Sequence, residues 1–202
     1  MEITRIAKVG KEDKFAVFID GVLKLFLSGE SILGQEIRVG QKISDEQVAD
    51  LSKRANEDLL FLRSLRYLSL RMRSEGELKT YLKKKGADQE QIRSIISRLK
   101  SMDLINDERF TAAFIHDKLL ASPASKRKIA YTLRNKQIAE DIIEKSLSHD
   151  QFSDEESLQK LIAIKRRQSK YQDDLKLMQY LVRNGFNYSD VKRAVKNTAS
   201  DY

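Results

Sequence analysis

The 202-residue sequence contains no cysteine, no tryptophan and a single proline. Without cysteine, the chain can form neither a disulfide framework nor a thiolate metal site. It has no apolar run of the roughly 18 residues that a membrane-spanning helix requires, and its first residues, 1–14, lack the apolar core of a signal peptide. These absences predict a cytoplasmic protein without disulfide bonds.

Catalytic side chains are equally scarce. The only histidines are His116, on the polar side of a predicted helix, and His149, in a predicted loop. Both are expected to be surface residues. The sequence has no G-x-S-x-G motif, no Walker-type phosphate loop and no metal-ligand spacing. We therefore expect no catalytic residue, no metal and no cofactor, and predict that the protein is not an enzyme.

Positive charge is abundant and unevenly distributed. The net charge is +8 overall, with −2 in residues 1–50, +7 in residues 51–150 and +3 in residues 151–202. A basic chain favours a polyanionic partner, either nucleic acid or an acidic protein surface. The alternative is that the charged runs are only solvated helix faces.

Strand character is confined to the start of the chain. Residues 2–9 and 14–27 are the segments with strand character, with Phe15, Val17 and Ile19 alternating with Ala16 and Phe18, and Asp20-Gly21 interrupts the second segment. An Asp-Gly pair at this place predicts a type I′ hairpin turn, because both central residues need a positive φ. With residues 10–13 as the earlier turn, we expect a three-stranded antiparallel meander in a module of residues 1–43. Residues 28–43 are predicted to add a helical turn and a short extended piece.

The rest of the sequence carries helix signals. Ser44 with Gln47, Ser74 with Glu77 and Asp88 with Gln91 have the spacing of capping boxes. Gly86 is placed to stop the helix that Ser74 starts. Long helices are predicted over about 45–72, 107–121 and 154–171, each followed by two shorter helices.

The short helix pairs repeat. Four apolar positions recur with a constant offset of 51 residues and then of 48. The stop residue Gly86 maps in the same way to Gln137 and Gly185, so the middle unit has lost its glycine; the cap Asp88 maps to Ala139, a second loss. We predict three three-helix repeats at 44–105, 106–150 and 151–202. The alternative is that unrelated amphipathic helix pairs align this well. The repeated positions are Leu78, Leu82, Ile92 and Ile96; Ile129, Leu133, Ile143 and Leu147; and Leu177, Leu181, Val191 and Val195.

One helix start is electrostatically unusual. Lys126, Arg127 and Lys128 follow Ser125 in the first turn of a predicted helix, where cations oppose the helix dipole. A helix N-terminus with three adjacent cations can serve as a phosphate or carboxylate site. The alternative is that this is an exposed helix turn whose charges are not optimised for the helix dipole. The third helices of the first two repeats begin with acidic residues, which argues for contact with a nucleic-acid backbone or an acidic surface over reading of bases.

Three segments of the sequence resemble the RecX family of bacterial recombination regulators. They are YLSLRMRSEGELKTYLKKKG at 67–86, LINDERF at 104–110 and the pattern I-x-x-x-L-x-x-K from Ile129. The strands and the Asp-Gly turn are similar to the N-terminal extension of longer Gram-positive-type members. Two positions depart from the family pattern, since Ser125 and Gln137 stand where glycine is usual.

The resemblance implies a mainly α fold: an elongated, curved tandem array of three three-helix repeats with a small N-terminal antiparallel β-meander. It also implies a regulator of recombination, DNA repair and the SOS response that binds RecA and its nucleoprotein filament. Such a protein would inhibit strand exchange, ATP hydrolysis and coprotease activity without catalysis of its own, with single- or double-stranded DNA as a further partner. We expect a monomer, because no helix keeps an uncommitted apolar stripe.

Our hypothesis for the RecA- and DNA-filament-binding face consists of twelve basic residues. Two other functions remain open: a RecA-independent DNA-binding protein that contacts the phosphate backbone through the basic repeats, and a peptide-binding helical scaffold that would need an apolar groove. The twelve residues are Arg66, Arg71, Arg73, Lys83, Lys84, Lys126, Arg127, Lys128, Arg134, Lys165, Arg166 and Arg167.

Overall fold

A computed structural model describes residues 1–10, 13–148 and 153–199. Part of the first predicted turn lies outside these residues, and so does His149, which is predicted to lie in a loop. Within them the chain is mainly helical, with a small antiparallel sheet at the N-terminus. The predicted fold class, tandem three-helix units preceded by a β-meander, is confirmed.

The sheet has the predicted order and the predicted hairpin. Its strands β1 (Ile3–Lys8), β2 (Phe15–Ile19) and β3 (Val22–Leu27) pair antiparallel in the order β1-β2-β3. Asp20 has φ 49° and Gly21 φ 79°. Both values are positive, as a type I′ turn requires.

The inner face of the sheet packs on a long helix. Helix α1 (Gly29–Gly34) follows the sheet, and α2 (Asp45–Ser69) begins at the capping box of Ser44 and Gln47. Val17 and Leu25 form one buried cluster with Leu51 of α2. A sheet of three strands is only marginally stable alone, so this apolar contact with α2 is what makes the module stable.

The remaining helices form the predicted repeats. The short pairs are α3 (Glu75–Lys84) with α4 (Gln89–Ser101), α6 (Lys126–Asn135) with α7 (Glu140–Leu147), and α9 (Asp174–Arg183) with α10 (Tyr188–Ala199). The second and third pairs are preceded by α5 (Asp107–Ala121) and α8 (Asp154–Arg166). All twelve repeated apolar positions are at most 9% exposed. The repeated pattern is therefore the set of core positions.

Two compact units make up the chain. The first comprises residues 1–72 and 78–104, and the second comprises residues 73–77 and the chain from residue 105 onward. The division into four modules at 43, 105 and 150 stays a prediction.

The prediction of a long third leading helix was wrong at its C-terminal end. Helix α8 ends at Arg166, and a short 3-10 turn follows at Ser169–Tyr171. The Arg166 guanidinium donates hydrogen bonds to the carbonyl oxygens of Tyr171 and Gln172, at 3.2 and 2.9 Å, and forms an ion pair with Asp174. These bonds close a tight connection to α9, which a continuing helix would not allow.

The three middle helices end in the same way. Gly86, Gln137 and Gly185 have φ of 85°, 59° and 89°. The residue after each donates its N–H to the carbonyl five positions earlier, at 3.1, 3.2 and 3.3 Å, as in a Schellman motif. Gln137 thus adopts the left-handed conformation without being glycine. Ala139, which takes the place of the cap residue Asp88 in the second repeat, gives α7 no side-chain cap.

Gly185 and Gly86 provide a matched pair of substitutions. Both have a φ near +87°, but a Cβ on Gly86 would meet nothing within 4 Å, whereas one on Gly185 would lie 2.6 Å from the Ser125 hydroxyl oxygen. We expect each alanine variant to lose about 1 kcal/mol of unfolding free energy from the strained φ. Gly185→Ala should lose about 1–3 kcal/mol more, because the buried Ser125 is overpacked.

Urea denaturation followed by circular dichroism, with hydrogen exchange to localise the change, measures both losses. Equal losses for the two variants would show that the contact at Gly185 has no energetic importance.

Candidate interaction surface

The described histidine and carboxylate side chains do not form a metal site. His116 is exposed, with its Nδ1 3.7 Å from an oxygen of the neighbouring Asp117. Nowhere in residues 1–10, 13–148 and 153–199 are three or more His, Asp or Glu side chains grouped to hold a metal ion. None of the helices in these ranges is long and apolar enough to cross a bilayer.

The second unit contains two equivalent hydrogen-bonded contacts between helix ends, which we call junctions. In the first junction, the Ser74 hydroxyl donates to the Lys136 carbonyl at 2.8 Å, and in the second the Ser125 hydroxyl donates to the Asn184 carbonyl at 2.7 Å. Ser74 and Ser125 correspond by the offset of 51, and Lys136 and Asn184 by the offset of 48. Each junction thus joins the start of one middle helix to the end of the next.

A carboxylate completes each junction. The backbone N–H of Glu75 donates to Asp107 Oδ1 at 2.8 Å, and that of Lys126 donates to Asp154 Oδ1 at 2.7 Å. Both donors are first residues of middle helices, and both acceptors are first residues of the leading helices α5 and α8. Since N–H groups in the first turn have no partner within their own helix, each aspartate satisfies one of them and places a negative charge at the positive end of the dipole.

The third contact of each junction uses different chemistry. In the first junction, Lys136 Nζ donates to Glu77 Oε1 at 2.9 Å, with both side chains largely buried. In the second, Lys128 Nζ donates to the side-chain oxygen of Asn184. Glu77 corresponds to Lys128 and Lys136 to Asn184, so the cation is on opposite sides of the two junctions.

These junctions explain the basic first turn of α6. The N–H of Lys128 donates to the Ser125 hydroxyl at 3.1 Å, and the N–H of Lys126 donates to Asp154. The sequence pattern predicts a phosphate or carboxylate at this helix start, and Asp154 of the chain itself supplies a carboxylate there. The Arg127 side chain remains exposed to solvent.

Five of the twelve predicted cations are exposed, and their side chains make no hydrogen bond, ion pair or ring contact with any described residue. Exposed guanidinium and ammonium groups can meet an external anion without first breaking an internal contact. They are Arg66, Lys83, Lys84, Arg127 and Arg167.

The other predicted cations have internal contacts or are partly buried. Arg71 donates to the Met72 carbonyl at 2.8 Å, and the side chains of Arg73 and Lys126 are half-buried. Lys128 and Arg166 hold the junction and the turn described above. These residues stabilise local structure, which the sequence pattern did not indicate.

Lys165 is held by aromatic rings. Its Nζ lies 4.9 Å from the ring centroid of Tyr180 and 5.5 Å from that of Tyr171. A cation placed over ring faces is attracted by their negative quadrupole. The sequence pattern does not indicate these partners, because the contact depends on the turn that ends α8.

Arg134 forms a two-pronged ion pair with Glu140. Its Nε donates to Glu140 Oε2 at 2.8 Å, and a second guanidinium nitrogen donates to Oε1. The hydrogen bond from Arg134 lowers the pKa of the Glu140 carboxyl, and the same bond raises the pKa of Arg134. The pair remains charged over the physiological pH range.

The predicted cations are distributed over both compact units. In each unit, cations that are neighbours in sequence share a helix end, as Lys83 and Lys84 do in α3 and Lys165 and Arg166 in α8. A binding face common to all twelve stays a prediction. The first unit holds Arg66, Arg71, Lys83 and Lys84, and the second holds Arg73, Lys126, Arg127, Lys128, Arg134, Lys165, Arg166 and Arg167.

The second unit also has an apolar groove. Ile115 and Leu119 of α5 and Ile142 of α7 line it, with an ion pair of 3.0 Å between Lys145 and Glu108 at its side. Leu120 at its edge is 75% exposed. The helical repeats therefore offer an apolar surface of the kind that a peptide-binding scaffold would need, as well as exposed cations.

Comparisons with known proteins agree with this architecture. A family profile for the first three-helix domain of RecX matches residues 61–99, and one for the second three-helix domain matches residues 106–147. A regulatory protein RecX of Caldanaerobacter subterraneus is 30% identical over 198 residues, covering 98% of this chain and 100% of that protein. One from Enterococcus faecalis is 27% identical, covering 98% of this chain and 76% of that protein.

Solved structures have the same fold. A crystal structure of regulatory protein RecX matches with a TM-score of 0.74 at 23% identity, covering 97% of this chain and 98% of the other. The crystal structure of RecX from Lactobacillus salivarius matches with a TM-score of 0.59 at 23% identity, covering 70% of this chain and 96% of the other.

The ion pair of Arg134 and Glu140 makes a pKa prediction. With Arg134→Gln, the pKa of Glu140 should return upward toward its ordinary value of 4.5, because the hydrogen bond that favours the carboxylate is gone. Since the folded-state pKa is depressed, the stabilisation by the pair is present above the ordinary pKa and is lost as the pH falls through the folded-state value.

Carbon-detected NMR titration of the glutamate carboxyl measures this pKa. Arg127→Gln is the matched control, because Arg127 lies on the same helix and makes no ion pair with the described residues. An unchanged Glu140 pKa in Arg134→Gln would contradict the assignment of the pair.

Proposed function

This chain belongs to the RecX family, and we propose that it regulates homologous recombination and DNA repair by binding RecA and its nucleoprotein filament. In this proposal it acts in the cytoplasm as a monomer. It inhibits strand exchange, ATP hydrolysis and coprotease activity by occupying or destabilising the filament, without catalysis of its own.

The observation that supports this proposal most directly is the set of five exposed cations whose side chains have no partner among the described residues. A nucleoprotein filament presents DNA phosphates together with carboxylates of the protein. Cations that neutralise phosphates release condensed counterions, and this release favours binding. Exposed cations also raise the rate of encounter with a polyanion.

The junctions support the proposal in a second way. They join the start of α3 to the end of α6 and the start of α6 to the end of α9 through part-buried hydrogen bonds with specific partners. Tandem repeats joined in this way present an extended surface with a defined spacing of side chains. Such a surface suits a repetitive partner such as a filament better than it suits a small ligand.

The first experiment measures RecA ATP hydrolysis on single-stranded DNA with this protein at substoichiometric ratios. A parallel assay measures binding of the protein to the same DNA alone. We expect inhibition at protein concentrations well below those that coat the DNA, because the filament is the target. Inhibition only at DNA saturation would instead favour the RecA-independent DNA-binding function.

A variant with the five exposed cations replaced by glutamine tests the surface. We expect the concentration for half-maximal inhibition to rise about tenfold or more, because several favourable contacts with the polyanion are lost together. The control is Arg193→Gln, which removes a cation outside the twelve that is already paired with Asp190 and should change inhibition less than about twofold.

Thermal unfolding of both variants checks that the fold is intact. If the five-residue variant inhibits RecA as well as the unmodified protein does, these cations are not the binding surface.

A further inference from the structure

The outward face of the N-terminal sheet is not explained by the proposed function. In the strand register, Arg5 pairs with Phe18, Phe18 with Leu23, and Ala16 with Phe26. These side chains lie opposite the core face, where Val17, Ile19 and Leu25 are buried. The face away from the core therefore carries two phenylalanine rings on adjacent strands.

Each of these rings has a cation above it. The Arg5 guanidinium carbon lies 5.2 Å from the ring centroid of Phe18, and Lys14 Nζ lies 4.2 Å from that of Phe26. Phe26 is 39% exposed and Leu23 44% exposed. A large aromatic residue that is left this open, with a cation beside it, is available to a flat anionic partner.

The charge of this face differs from that of its surroundings. Residues 1–50 have a net charge of −2, yet none of the residues in β1, β2 or β3 is Asp or Glu. Of the nearby acidic groups in the turns, Asp13 accepts from the Gly29 N–H at 3.0 Å and Asp20 from the Glu2 N–H at 2.8 Å. The positive charge is thus concentrated where the rings are exposed.

We propose that this sheet face binds single-stranded nucleic acid. Arg5 and Lys14 leave the ring faces to contact the phosphates, and bases take their place over Phe18 and Phe26. Aromatic rings beside a basic surface bind single strands with little sequence preference, because every base has a π-face. Small antiparallel sheets are known to present aromatic side chains to bases in this manner.

The geometry favours a single strand over a duplex or an acidic protein. Phe18 and Phe26 lie diagonally across two strands, with a register shift between them. In a regular ladder, diagonal neighbours are about 7–8 Å apart. Bases stacked in a helix are about 3.4 Å apart, so two successive bases can reach both rings only when they are unstacked. An acidic protein surface would use the two cations and leave the exposed rings without a function.

This inference does not depend on the proposed regulation of RecA, and its test contains no RecA. Fluorescence anisotropy of the full chain compares a thymidine oligonucleotide with an abasic oligonucleotide of equal length and charge. We expect the protein to bind the thymidine strand about fivefold or more tightly, because only that strand can stack on the rings.

Two substitutions of one residue isolate stacking. Phe26→Leu keeps apolar bulk but has no π-face, so it should lose most of the preference for thymidine over the abasic strand. Phe26→Tyr keeps the ring and should retain the preference. Arg5→Gln should weaken binding to both strands equally, because it removes a phosphate contact.

Matched controls are available in the same module. Leu33→Ala alters an apolar residue of α1 that is 80% exposed, and Arg38→Gln alters an exposed arginine outside the sheet. Both should bind each strand as the unmodified protein does. Circular dichroism confirms that each variant folds, and ultraviolet crosslinking to the thymidine strand should attach it to peptides from β2 and β3.

Equal affinity for the two strands, or an unchanged preference in Phe26→Leu, would overturn the proposal, as would crosslinks confined to the helices. Loss of the preference in Arg38→Gln would also contradict it. None of these outcomes alters the RecA assay with the helical cations, so failure of one proposal is distinguishable from failure of the other.

Discussion

The organisation of the second unit depends on a buried serine hydroxyl that makes two hydrogen bonds at once. Ser74 and Ser125 each accept a backbone N–H of their own helix at 3.1 Å and donate to the carbonyl that ends the next middle helix. A hydroxyl can do both, whereas a carboxylate can only accept. The equivalent position in the third repeat is Asp173, which caps α9 but has no proton to donate. The third repeat therefore lacks the hydroxyl donor that the two junctions use.

Glycine placement makes the two junctions sterically complementary. In the first, Gly76 faces Gln137, and a Cβ on Gly76 would clash with Gln137 Cβ and lie 2.7 Å from the Lys136 carbonyl oxygen. In the second, the equivalents are Arg127 and Gly185, so the glycine is on the other side. In each junction one of the two facing residues must be glycine, and the glycine can stand on either side of the contact. The departure at Gln137 is thus compensated at Gly76, and the middle repeat keeps its geometry at the cost of a strained φ of 59°.

Features that depend on neighbours in sequence were predictable. The hairpin at Asp20-Gly21 and the capping box of Asp88 and Gln91 each involve residues within a few positions of one another, and the repeated apolar positions follow the helical period within each helix. The partners of the cations were not predictable, because Lys136 meets Glu77 across 59 positions and Lys128 meets Asn184 across 56. The constant offsets of the repeats were the only signal available for these pairs. They align Glu77 with Lys128 and Lys136 with Asn184, but they do not indicate that the two lie in contact.

Net charge overstates the charge that can act on a partner. Of the twelve cations assigned to the binding face, Arg134, Arg166 and Lys128 already satisfy acceptors of the chain, and Lys165 lies over two rings. An external phosphate that recruits one of them must first replace an internal contact, which offsets much of the gain. The salt dependence of binding reports the phosphates that are neutralised, so it should correspond to about five contacts from the helical repeats and not to twelve. Arg5 and Lys14 also lie over rings, so they would add to this number only where a bound single strand supplies bases that replace them on Phe18 and Phe26.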